Sequence, residues 1–401
     1  MEIAILSIHS CPLGRLGSKD TGGMSVYIRE LARELGKRGH HVDVFTRLHD
    51  PQDGEVIPLG QNARLIHLKV GEMREIPKLD VYPYLAEFAS AVEDFRKNND
   101  LHYQLIHSHY WLSGWVGRKL QQWWRVPHFI MFHTLGAVKN SIGVGEEEPE
   151  IRIKIEKELV HDCQRVIAAT LREKKELTHY YSASSELITV IPCGVNLQIF
   201  KPIDKQIARQ KLGYNNKNII LFVGRIEPLK GIDNLMSAMV HIQEKKGSQL
   251  IVVGGDQRSQ SELERLQILC QQMQIENSVK FVGTVNQKEL PVYYSAADIC
   301  VVPSYHESFG LVALESLACG TPVVTTRVGG VEEFIIQGEN GYIIEDNSPQ
   351  LLVNKTLALL SQPALYENAI KIRASVAGLS WSTMTETVIK EYQEILDGVT
   401  A

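Results

Sequence analysis

The segment Pro303-Ser304-Tyr305-His306-Glu307-Ser308-Phe309-Gly310-Leu311-Val312-Ala313-Leu314-Glu315 sets two carboxylates on either side of a glycine where a helical run begins. A helix starting there offers the free N–H groups of Gly310, Leu311 and Val312 and the positive end of its dipole, an arrangement suited to phosphate. Glu307 before the helix and Glu315 about a turn and a half inside it would then grip hydroxyls of sugars attached to that phosphate. A second segment, Phe222-Val223-Gly224-Arg225-Ile226-Glu227-Pro228-Leu229-Lys230-Gly231, leaves an apolar run with two permanent cations, Arg225 and Lys230, between glycines. They can converge on one diphosphate. Read separately, the first segment is a capping carboxylate with an unrelated surface glutamate, and the second is a solvated basic loop. The phosphate reading needs the two to face each other.

Two more groups of residues belong with these. Asp20-Thr21-Gly22-Gly23-Met24-Ser25 is a glycine-rich turn ahead of a helix, where the backbone can approach a ligand closely. It is not G-x-G-x-x-G, and the stretch from His9 to Lys19 separates it from its strand, so a dinucleotide fingerprint is absent. His107-Ser108-His109-Tyr110-Trp111 and Phe132-His133-Thr134-Leu135 end neighbouring strands in histidines and hydroxyls. They read as a ligand site or as satisfied structural residues. No carboxylate or cysteine stands at metal-ligand spacing from them, so no metal site is expected.

The elements that must position these residues alternate along the whole chain, short β-branched runs with longer helical periods, which is the pattern of parallel sheets wound with helices. Strands are predicted at 3–8, 41–46, 65–68, 105–107, 128–132, 166–169 and 188–191, then in a second set at 219–223, 249–253, 279–282, 299–302 and 322–325. Met24, Tyr27, Ile28, Leu31 and Leu35 form the apolar stripe of the clearest helix, with Gly39 as its stop. Later helices are expected at 204–212, 232–245, 259–273, 287–296, 311–318, 349–360, 365–375 and 382–396. Pro192-Cys193-Gly194-Val195-Asn196 closes the first alternation. The chain therefore divides into a domain over 1–196 and a domain over 197–380, with the helix near 381–401 packing back on the first. Open parallel sheets bind ligands outside the carboxyl ends of their strands, so two such sheets facing each other make a cleft.

Composition fits. With 401 residues, 44% hydrophobic and 22% charged, the chain is ordinary globular material of more than one domain. Its net charge of -5 offers no global attraction to nucleic acid or an anionic membrane. The six cysteines lie far apart without a Cys-x-x-Cys pair, and no run reaches the ~18 apolar residues of a membrane span. The run Ile3–Ile8 lacks the features of a signal peptide. A cytoplasmic protein is expected. The oligomeric state stays open, a homodimer included.

Taken together, these segments resemble the retaining nucleotide-sugar glycosyltransferases of family 4, which have the GT-B architecture of two facing Rossmann-like α/β domains. The resemblance covers nearly the whole chain. It rests on Glu307-x7-Glu315, on Gly224-Arg225 with Lys230-Gly231, on Gly22-Gly23 and on Pro192-x-Gly194-Val195. It implies that Arg225 and Lys230 hold the donor diphosphate, with Gly23, Phe309, Gly310, Leu311 and Val312 around the donor. Glu315 would bind the ribose, Glu307 the transferred hexose, and His133 would line the reaction centre. Within the family the first half is most similar to the inositol-phosphate N-acetylglucosaminyltransferases of mycothiol synthesis and next to sucrose-phosphate synthases. The shared words are Gly22-Gly23-Met24-x-Val26-Tyr27, His107 to Gly114, and His133 to Ser141. By that likeness Lys78, Tyr110, Thr134 and Arg152 take the acceptor phosphate, with His9, Met24 and Ser25 nearby. Ser25 stands where the inositol-phosphate enzymes usually carry Asn, and Met24 where sucrose-phosphate synthases usually carry Gln.

The expected reaction moves GlcNAc or glucose from a UDP-sugar to a phosphorylated polyol or sugar, inositol phosphate first and fructose 6-phosphate second. No cofactor is required on this reading, since cationic side chains and a helix terminus neutralise the diphosphate and no Asp-x-Asp occurs. The competing readings are a paired-carboxylate hydrolase, a non-catalytic sugar-nucleotide-binding protein of two lobes, and a dehydrogenase. The hydrolase explains neither Arg225 and Lys230 nor the second α/β domain, and the dehydrogenase lacks its glycine fingerprint.

Overall fold

A computed structural model describes residues 1–14, 21–214, 218–256, 259–362 and 368–400. Asp20 of the glycine-rich turn, the residues 15–19 before it and residues 365–367 of the helix expected at 365–375 lie outside the described residues. Two sheets organise the chain. The first contains β1 (Glu2–Leu6), β2 (His41–Arg47), β3 (Val56–Gly60), β4 (Ala63–Leu68), β5 (Leu105–His109), β6 (His128–Met131), β7 (Arg165–Ala168) and β8 (Ile188–Val190) in the order β3-β4-β2-β1-β5-β6-β7-β8. The second contains β9 (Ile219–Val223), β10 (Gln249–Val253), β11 (Val279–Gly283), β12 (Ile299–Val302), β13 (Val323–Thr326) and β14 (Gly341–Ile344) in the order β11-β10-β9-β12-β13-β14. All pairings are parallel except β3 with β4.

Both sheets are covered on both faces, which is why their central strands read as unbroken apolar runs rather than alternations. Ile3, Ile5, Val42 and Val44 pack beneath the helix Gly23–Lys37, while Ala4, Leu6 and Phe45 face a second cluster on the opposite side. The second sheet repeats the scheme with Leu221, Ile251 and Cys300 on one side and Ile220, Leu250 and Val301 on the other. The fold is α/β, with two doubly wound parallel sheets.

Two strands escape the sequence reading. β3 contains Pro58, which cannot donate to a ladder and is tolerated because this is the edge strand, paired antiparallel to β4 alone. β14 is four residues long and closes the other sheet, so the helices after residue 349 follow β14 and not β13 as expected from sequence. The last helix, Trp381–Thr400, returns to the first sheet: Tyr392 hydrogen-bonds His107, Arg165 pairs with Glu391, and Arg38 with Glu386. No helix among the described residues is long and apolar enough to cross a membrane.

Candidate active site

The carboxyl ends of the two sheets confront each other, and contacts cross the gap at several points. The Ser308 hydroxyl donates to the backbone carbonyl of His133, and Arg172 donates to the carbonyl of Arg327 at 2.6 Å. Gly23 lies so near the helix Leu311–Ala318 that a Cβ there would sit 3.2 Å from Leu311 Cδ1. A cavity of about 270 Å³ opens between His133, Thr134 and Glu173 of the first domain and His306, Glu307 and Ser308 of the second.

On the second-domain wall, β9 ends at Val223 and the chain turns through Arg225 to the single-turn helix Pro228–Lys230. Gly231 then takes φ +66° against the carbonyl of Pro303, which no side chain could approach. That turn sets Lys230 Nζ 2.7 Å from Glu307 Oε1, which also accepts from Ser304 Oγ at 2.7 Å. Burial alone would raise the Glu307 carboxyl, but Lys230 and the Ser304 hydroxyl hold it below its ordinary value. Arg225 ion-pairs with Glu227 at 2.9 Å. Gly310, at φ +103°, caps the helix Leu311–Ala318, with Phe309 buried against Phe334 before it.

Glu315 lies inside that helix and is 8% exposed. It accepts from Tyr294 OH at 2.8 Å, and Gln287, itself holding Arg29 of the first domain at 2.5 Å, also bonds it. Burial pushes its carboxyl up to about 7, against those hydrogen bonds. The family resemblance implies that Glu315 meets a donor hydroxyl, a contact made equally in ground and transition states. Glu315→Ala is therefore expected to raise the donor KM about tenfold or more while kcat changes little. Steady-state kinetics with varied donor checks this, and a loss confined to kcat contradicts it.

On the first-domain wall, His133 sits just beyond β6 at φ +61°, and Tyr110 just beyond β5 at φ +76°. Both residues thus hold left-handed backbone at neighbouring strand ends. His133 Nε2 lies 2.9 Å from His109 Nδ1, and burial lowers the His133 ring to about 3, so the imidazole is neutral at working pH. His107 and His109 themselves are fully buried. Two residues apart on a strand, they share one face, and the last helix covers it, Tyr392 OH meeting His107 Nδ1 at 2.6 Å. They support His133 from behind and do not reach the cleft as the strand-end reading expected.

Beside His133 lies a pocket of positive charge. Arg152 is fully buried: Nε donates to Glu156 at 2.7 Å, Nη2 to the Thr134 carbonyl at 2.7 Å and hydroxyl at 3.0 Å, and the guanidinium lies 4.7 Å from the Tyr110 ring centroid. His9 packs on the other ring contact of Tyr110, 4.4 Å between centroids, and its own ring is lowered to about 3 by burial and by Lys78. Lys78 enters from the start of the short 3-10 helix Lys78–Tyr84. Lys78, Tyr110, Thr134, Arg152 and His9, distant in sequence, thus form one group. Ser25 is fully buried with its hydroxyl 2.7 Å from that of Ser10, the neighbour of His9, while Met24 is partly buried between the two apolar clusters of the first domain.

Three residues of the cleft escaped the sequence reading. Lys139 and Glu148 belong to the basic pocket: Glu148 pairs with Lys139, with Arg152 at 2.8 Å and with Lys78 at 3.3 Å. Burial would raise its carboxyl, but Arg152, Lys78 and Lys139 hold it down at about 2. Glu173 lines the cavity from the helix Leu171–Tyr181, raised to about 7 by burial. The capping-box spacing Thr170-x-x-Glu173 was its visible signal: Glu173 N–H donates to Thr170 Oγ1, while its carboxylate accepts from the N–H of Ala169, one residue before the cap.

Two family models match the chain, "Glycosyltransferase Family 4" over residues 21–199 and "Glycosyl transferases group 1" over residues 204–375. D-inositol 3-phosphate glycosyltransferase of Corynebacterium efficiens is 36% identical over 369 residues, covering 90% of this chain and 87% of that one. Its counterpart from Thermobispora bispora is 37% identical, covering 99% and 96%. Among solved structures, sucrose-phosphate synthase of Thermosynechococcus elongatus superposes with a TM-score of 0.92 at 35% identity over 99% of each chain. Anabaena HepE in complex with UDP, at 20% identity, shares the fold with a TM-score of 0.76, covering 98% of this chain and 100% of that one.

Proposed function

The chain belongs to the family 4 glycosyltransferases, with a GT-B fold, and on that footing we propose that it moves GlcNAc or glucose from a UDP-sugar to a phosphorylated polyol or sugar, with retention of configuration. The observation that carries this reading is the pairing of two walls. The Lys230–Glu307 pair and the helix terminus at Gly310 lie on one side, and the cationic pocket of Lys78, Lys139 and Arg152 lies beside His133 on the other.

The donor diphosphate leaves with negative charge growing on its β-phosphate. Arg225, Lys230 and the N–H groups opening the helix Leu311–Ala318 stabilise that charge, so no separate general acid is needed. His133, uncharged and steered by His109, serves as a hydrogen-bonding wall for the transferred sugar rather than as a proton donor. Glu307, kept ionised by Lys230, accepts from hexose hydroxyls. The acceptor, anchored by its phosphate, attacks from the face the diphosphate leaves, and a phosphate oxygen takes its proton.

Inositol phosphate is the acceptor this reading favours, through the likeness to the D-inositol 3-phosphate glycosyltransferases and through Gly-Gly-Met with the His133–Ser141 match. The likeness to sucrose-phosphate synthase supports fructose 6-phosphate as the alternative. A screen of UDP-sugars and GDP-mannose against both, read by product mass, tests the proposal. Transfer from a UDP-sugar to one of them is expected. Transfer only from GDP-mannose, or only to unphosphorylated compounds, contradicts it.

Because side chains and a helix terminus already oppose the leaving diphosphate, the reaction is expected to proceed without a divalent cation. Turnover in excess chelator should match turnover in magnesium. Complete loss in chelator, restored by magnesium or manganese, overturns that expectation.

A further inference from the structure

We propose that Glu148 is a built-in counter-anion that holds the acceptor pocket closed and that the acceptor phosphate must displace. The inference rests on the phosphate reading of this pocket. One carboxylate, its side chain 4% exposed, draws together three cations from three separate elements: Lys78, Lys139 on the helix Gly136–Ile142, and Arg152 on the helix Glu150–Asp162. Its two oxygens divide the work, Oε1 taking both lysines and Oε2 the guanidinium. That is the arrangement two oxygens of a phosphate would adopt.

The bonds of Arg152 show where an incoming phosphate would meet Glu148. Nε is committed to Glu156, which is itself fully buried and also accepts from Gly136 N–H at 2.9 Å and Tyr181 OH at 2.5 Å. Nη2 is committed to Thr134, through both its carbonyl and its hydroxyl. Nη1 faces Glu148. An incoming phosphate therefore reaches this guanidinium at Nη1, the nitrogen that Glu148 Oε2 approaches to 2.8 Å.

Charge points the same way. Lys78, Lys139 and Arg152 against Glu148 and Glu156 leave one net positive charge. With Glu148 swung out, the same groups carry two, which matches a phosphate dianion. The two carboxylates differ in their freedom to move. Glu156 lies within a helix and is bonded on every side. Glu148 lies on the loop between two helices, next to the exposed Glu146 and Glu147, and its backbone is held by one side chain: Asn140 Oδ1 accepts from the Glu148 N–H at 2.7 Å, and Asn140 Nδ2 donates to its carbonyl at 3.0 Å. The Glu148 side chain can thus leave while its backbone stays. A neutral acceptor cannot replace the lost ion pairs, so the closed pocket discriminates against it.

Glu148→Gln keeps the size and removes the charge. Isothermal titration of the whole protein with inorganic phosphate should show binding at least about tenfold tighter in the variant, the ratio expected where the wild-type pocket stands open a tenth of the time or less. The KM for the phosphorylated acceptor should fall by a similar factor. Glu148→Asp, which keeps the charge but withdraws it by one methylene, should tighten phosphate binding by a smaller factor, and it decides the matter if the Gln variant does not fold. Equal or weaker phosphate binding in the variants, with the wild type still preferring phosphorylated acceptors, overturns the displacement and leaves the proposed function standing. No phosphate binding in any form, with no preference between phosphorylated and free acceptors, overturns both.

Discussion

Lys230→Ala is expected to lower kcat by about 10²–10³, the usual consequence of deleting one preorganised charge aimed at a leaving group. The position of the side chain supports so large an effect. Lys230 Nζ is 2.7 Å from Glu307, both side chains are largely withdrawn from water, and Gly231 fixes the turn that delivers the ammonium. In such surroundings a cation acts through a low effective dielectric and needs no reorganisation as charge develops. The variant also strands the Glu307 carboxylate, so its folded fraction should be measured by thermal melting before rates are compared. Turnover of the folded variant near the wild-type value, at saturating donor and acceptor, would remove Lys230 from the proposed role.

Lys78→Ala should lower kcat/KM for a phosphorylated acceptor at least about tenfold, equivalent to about 1.4 kcal/mol, because it removes one of the three cations gathered for the phosphate. The same substitution should leave the slow reaction of the unphosphorylated acceptor nearly unchanged, since that compound has no charge for Lys78 to meet. Lys139→Ala should behave alike, because the two ammonium groups share one oxygen of Glu148. Kinetics of each variant with both acceptors checks this. An equal loss for the two acceptors would reduce Lys78 to a structural part.

How much of this was legible in the sequence follows from how local each feature is. Glu307, Gly310 and Glu315 lie within nine residues of one strand-to-helix connection, so local sequence relates them. Arg225 and Lys230 leave one strand end together, and the helical stripe of Tyr27, Ile28, Leu31 and Leu35 repeats with a plain period. The short edge strands β3 and β14 were hidden by Pro58, by glycines and by their brevity. His107 and His109 have the residue types of a ligand site, yet the face they share is covered by Tyr392, 285 positions away from His107, which no local pattern announces. Glu148 is the clearest case. In sequence it closes the acidic run Glu146-Glu147-Glu148, which reads as a solvated loop, and only the Asn140 clamp and the three converging cations turn it inward. The Lys78–Arg152 pocket was reached from sequence through family resemblance, because its members come from separate elements that only the fold assembles.

The central claim is that the cleft joins a UDP-sugar to an acceptor it recognises by phosphate. One competition measures it: equal concentrations of inositol phosphate and free inositol in a single reaction with UDP-GlcNAc, the products resolved by mass. The account expects the glycosylated phosphate ester in at least about 10²-fold excess over glycosylated inositol, as a site whose buried donors are left unpaired by the wrong acceptor requires. Comparable amounts of the two products would show that the pocket of Lys78, Lys139 and Arg152 does not read phosphate.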